Sequence, residues 1–122
     1  MTGRAGAGVL AAGRLALGIA VLAAPEAVTG RWLGRHAEHP AVRYLARSLG
    51  ARDAALGALA LATLGDSRVG PRVQLACAVV DSVDVLATLS ARAELPAAGA
   101  IGTIAVAGTA AGAGFYLARR LA

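Results

Sequence analysis

A chain of 122 residues fits one domain, and at 57% hydrophobic and only 16% charged it is more apolar than a soluble domain of that size. All 12 basic residues are arginine, and the net charge of +5 comes with only 3% aromatics. There is no basic stripe interleaved with aromatic rings, so nucleic acid is set aside as a partner and the lipid bilayer is preferred. The mean hydropathy of +0.65 agrees, and the arginines gather at the ends of apolar runs, where they would meet lipid headgroups.

The first apolar segment covers about residues 5–24 and is interrupted by Arg14. Arg4 and Arg14 ahead of a run from Leu15 to Ala24 give it a signal-peptide look. Pro25 directly after the run, and a positive charge as late as Arg14, favour a retained first span. The polar connector from Pro25 to Pro40 holds Glu26, Arg31, Trp32, Arg35, His36, Glu38 and His39. Pro25 suits the first position of a short interfacial helix, with Trp32 at headgroup level. His36 and His39 are read as solvated loop residues, because no third ligand lies near; no metal or other cofactor is expected.

The second segment, about 41–64, opens on Pro40 as a first helical residue. Gly50, Asp53 and Gly57 fall on one face and Leu45, Leu49, Leu56 and Leu59 on another. Glycines admit a neighbouring backbone, so Asp53 is expected to point inward, with Arg47 also able to reach in. Arg52 leans toward the leucines and must snorkel or cross between helices. After a short turn at Gly65–Gly70, the third segment covers about 71–91. It carries Gln74, Cys77, Asp81, Asp84 and Thr88, spaced three, four, three, four, which draws one stripe along a helix. Such a stripe must face something other than lipid. Cys77, the lone cysteine, is read as a small apolar filler on it. The fourth segment, about 97–118, carries no charge. Gly108 and Gly112 form a G-x-x-x-G pair suited to close helix packing, and Arg119 and Arg120 anchor its end.

Four such spans predict an all-α integral membrane protein, a four-helix up-down-up-down bundle. Arg4, Arg68, Arg72, Arg119 and Arg120 then flank the side of the termini, against Arg31, Arg35, Arg43 and Arg92. That bias places the termini in the cytoplasm of a bacterial inner membrane, with dual topology as the alternative. Within the spans lie Arg14, Arg47 and Arg52 and the aspartates Asp53, Asp81 and Asp84, whose formal charges cancel. An ionised group at the bilayer centre costs ~2.5–3.5 kcal/mol on insertion scales, so pairing inside the bundle is the least costly arrangement. The expected pairs join Asp81 or Asp84 to Arg14 or Arg47, and Asp53 to an arginine of a neighbouring helix.

The run Arg47-Ser-Leu-Gly-Ala-Arg-Asp53, then Gly57 and Asp81-Ser-Val-Asp84, resembles small four-helix bacterial membrane proteins loosely like the DoxX family. The resemblance implies a four-helix integral membrane fold. Three functions remain open. The first is a transport or permeation module in which the aspartates take protons or a small solute, working as a homodimer or larger oligomer. The second is a membrane-embedded enzyme on a lipid or isoprenoid with an aspartate as general acid. The third is a structural subunit with the charges as interhelix glue.

Overall fold

The computed structural model describes residues 2–122 and is all-helical among them. Helix α1 runs Gly3–Ala23, α2 Pro25–Leu33, α3 Pro40–Ala62, α4 Val69–Ser90 and α5 Ala97–Leu121, with a 3-10 turn at Gly34–Glu38. The four long helices measure about 31–37 Å at ~1.5 Å per residue, the scale of a bilayer core.

Local chemistry sets their ends. The Thr2 hydroxyl accepts from the Ala5 N–H and caps α1. Pro25 forces Ala24 out of the helical region (φ −138°, ψ 66°), ending α1 and opening α2. Gly34 takes a φ of +56°, which a side chain would resist, and turns the chain after α2. His39, extended ahead of Pro40, accepts the Ala41 N–H on Nδ1 and so caps α3. Its role is a local one, and His36 beside it is exposed. The Asp66 carboxylate accepts from the N–H groups of Arg68 (2.8 Å) and Val69 (2.9 Å) and launches α4 two residues earlier than Pro71 suggests. These N–H donors hold the Asp66 carboxyl below its usual range, Val69 contributing most. Pro71 fits because a helix's first turn has no use for its missing N–H.

Three helices, α1, α4 and α5, are long and apolar enough to cross a membrane. Helix α3 is long enough, but Arg43, Arg47, Arg52 and Asp53 make it too polar to qualify on its own. The packing is that of two antiparallel pairs, α1 on α3 and α4 on α5, joined more sparsely by α1–α5 and α3–α4 contacts.

The interior is built of small residues, and the large ones face out. Buried apolar positions are alanines apart from Val21 and Cys77, whereas Val9, Ile19, Leu45, Val83, Leu86 and Ile101 are exposed. A water-soluble domain would invert that order; a bilayer is the solvent for which it is favourable. The α1–α3 pair shows how close small residues bring two backbones. A Cβ placed on Gly18 would lie 2.3 Å from the Ala54 nitrogen, and one on Gly57 2.6 Å from that of Leu15.

Candidate functional site: an arginine–aspartate network between the helix pairs

The register fixed by those glycines carries Arg14 and Asp53 to the inner side of the α1–α3 pair. On α1, Ala7, Ala11, Gly18 and Val21 are buried, and Arg14 continues their spacing of three and four. Arg14 Nη1 donates to Asp53 Oδ1 at 3.1 Å, and its Nη2 donates to Asp81 Oδ2 on α4. Arg52 curls round α3 to reach the same seam. Its Nη1 and Nη2 grip the two oxygens of Asp84 at 3.2 and 2.8 Å, the fork geometry that guanidinium and carboxylate share. Its Nε and Nη2 also reach Asp53 Oδ1, each at 3.2 Å.

Asp53 therefore joins two ion pairs into one chain, Asp81–Arg14–Asp53–Arg52–Asp84. Burial falls along it. The Arg14 and Asp81 side chains are 8% exposed, Asp53 18%, and Arg52 and Asp84 32% each. Arg14 and Asp81 each stand nine residues from the end of their helix on the α2 side. At ~1.5 Å per residue that is about 13 Å, near the middle of each candidate span.

The remaining residues of the α4 stripe do not join the network. Cys77 is buried against Ala11 and Ala60, and Gln74 is buried with its amide near Gly114 of α5. The Thr88 hydroxyl donates to the Asp84 carbonyl at 2.8 Å, a bond within its own helix.

Two expectations need correction. Arg47 is exposed and forms no ion pair among the described residues, and Arg52 takes the place foreseen for it beside Asp84. The cause is the offset of the pair. Gly50 packs on Gly18 and Leu22, so α3 runs past the end of α1 and Arg47 stands near Ala24 instead of at mid-span. The second correction concerns the helix-packing glycines. Gly50 and Gly57 make close contacts, but a Cβ placed on Gly112 would meet nothing outside its own helix turn within 4 Å, and one on Gly108 only a Val85 methyl at 3.9 Å. Close approach in α5 is made by Gly114, against Ala78, and by Gly99, against the Trp32 backbone. Gly18 and Gly114 were not singled out by sequence reading. For Gly18 the signal was present, because it lies one turn from Arg14 on the small-residue stripe of α1.

Among the described residues no group of three His, Cys, Asp or Glu is placed to hold a metal. Comparisons with family models, with curated proteins and with solved structures find no match to this chain.

Proposed function

We propose that the chain is a proton- or small-cation-handling module of a membrane, with the Arg–Asp network as the group that takes the ion. One observation carries this reading: three carboxylates share two guanidinium groups. With Arg47 outside the network, its formal charges no longer cancel. One negative charge remains near the midplane, where an uncompensated ion costs ~2.5–3.5 kcal/mol or more. A proton on a carboxyl, or a monovalent cation beside it, removes that cost. The position between two separately packed helix pairs supports the same reading, since ion sites of membrane transporters lie near the midplane between repeats or bundles.

In this reading α1, α3, α4 and α5 cross the bilayer as an up-down-up-down bundle, α3 inserting because its charges at Arg52 and Asp53 are paired. Moving Arg47 to the α2 side brings the flanking arginines to five on each side. That balance suits insertion in both orientations, and an antiparallel homodimer in a bacterial inner membrane as the assembly. The likeness to DoxX-like four-helix proteins belongs to the same proposal.

The test is ion flux in proteoliposomes loaded with a pH-sensitive dye and voltage-clamped with valinomycin. Wild type should pass protons or a monovalent cation, and Asp84→Asn and Asp81→Asn should abolish the flux. No flux from wild type, or flux indifferent to both changes, overturns the proposal. A second reading, interhelix glue, is favoured because among the described residues no buried polar side-chain atom lacks a hydrogen-bond partner. It predicts instead that both substitutions lower stability or assembly and leave no transport difference to measure.

A further inference from the structure

An open surface depression of about 320 Å³ lies beside Arg47, where α3 passes the end of α1. It is lined by Ala24, Pro25, Glu26, Ala27, Arg43 and Arg47. Arg43 Nη1 holds Glu26 Oε1 at 2.7 Å, both side chains being nearly half exposed. Among the described residues Arg47 has no ionic partner. The depression's arginines thus outnumber its carboxylate, and the backbone adds to the imbalance. Ala24 gives α2 no side-chain cap, and the N–H groups of Glu26 and Ala27 belong to the first turn, whose donors have no partner within the helix.

Depth decides what such a depression meets. It sits where the apolar helix α1 stops and Pro25 turns the chain aside, the level of lipid headgroups. Guanidinium groups suit phosphate because their planar donors match its oxygens in pairs. We propose that Arg47 and Arg43 bind a phosphodiester of net negative charge in this depression, the headgroup of an anionic phospholipid. Glu26, paired with Arg43, competes with the ligand for it.

The test uses the full chain in a neutral detergent and native mass spectrometry. Dioleoylphosphatidylglycerol and dioleoylphosphatidylcholine are the lipid probes. Titration of inorganic phosphate, followed by fluorescence of Trp32, is the soluble arm. Phosphatidylglycerol should be retained over phosphatidylcholine. Arg47→Gln should weaken that retention about tenfold, the loss of one charge-assisted hydrogen bond. Arg47→Lys, which keeps the charge and loses the paired donors, should restore only part of it, Glu26→Gln should tighten it, and Arg68→Gln, at the other end of the bundle, should leave it unchanged. Arg47, Glu26 and Arg68 are all exposed, so these variants are expected to fold. Equal retention by wild type and Arg47→Gln overturns the proposal. Phosphate binding that depends on Arg47, with no preference between the lipids, overturns the lipid source and assigns the site to a soluble phosphate.

Discussion

Replacing Arg14 by methionine tests the network at its most buried point. Methionine keeps the length and apolar stem of the side chain and removes the guanidinium that holds both Asp53 and Asp81. Asp53 retains Arg52, so the loss falls mainly on Asp81, whose side chain is 8% exposed and has no other ionic partner. Removing one member of a buried pair costs about 3–5 kcal/mol, because the remaining charge stays desolvated. The lower end is expected here, about 3 kcal/mol, which is roughly two powers of ten in the folding equilibrium. The double variant Arg14→Met/Asp81→Leu removes the stranded charge as well and should return to within about 1 kcal/mol of wild type or exceed it, since apolar groups often replace a buried ion pair at no cost. Equilibrium unfolding in mixed dodecyl sulfate and maltoside micelles, read by helical circular dichroism, measures all three. A single variant within about 0.5 kcal/mol of wild type, or a double variant no better than the single, refutes the argument that Arg14 offsets a buried carboxylate.

Gly18→Val should destabilise the same unfolding transition by on the order of 1–3 kcal/mol or more, because the backbone of Ala54 leaves no room for the new Cβ. Gly112→Val should change it by less than about 0.5 kcal/mol, since a Cβ placed there meets no neighbouring helix within 4 Å; equal effects would show that α1–α3 contact does not set the register. Asp66 supplies the pH prediction. Its carboxyl is held below the usual range in the folded chain, so its contribution is fully present above the ordinary aspartate value of about 3.9 and is lost as pH falls through the lowered folded value. Asp66→Asn should therefore flatten the decline in thermal midpoint below about pH 4. Identical acid slopes for the variant and wild type would contradict the capping role.

Helix ends were legible because they are decided by neighbours in sequence. Pro25, Pro40 and Pro96 each restrict the residue before them, and each stands at the boundary of a helix. The membership of the network was legible only in part, and the misplaced residues share a cause. A helical wheel gives the direction in which a Cβ leaves the axis. It does not give the reach of a guanidinium at the end of three methylenes, and Arg52 uses that reach to come round to Asp84 from the leucine side. Nor does a wheel give depth relative to another helix. Arg47 and Arg52 are five residues apart, and which of them stands level with the aspartates depends on where α3 slides along α1. That position is set by Gly18 against Gly50 and Ala54, a contact between segments more than thirty residues apart in sequence. In the same way, a G-x-x-x-G pair among 16 glycines does not identify the contacting one; Ala78 on α4 selects Gly114.

The slide has a consequence for charge as well as for packing. Had α3 engaged α1 about one and a half turns further along, Arg47 would stand level with Asp81 and Asp84, two arginines (Arg14 and Arg47) against two carboxylates, while Arg52 and Asp53 would move off together on the same helix. With the observed register, one arginine is moved out to the headgroup level and the buried set is left one positive charge short. A single glycine contact thereby decides both that the midplane holds an excess carboxylate and that the interface holds an unpaired guanidinium. The ion-handling reading and the headgroup site are two ends of that one displacement, so a Gly18 or Gly50 substitution that shifts the register should perturb both together, whereas Arg47→Gln should alter only lipid retention.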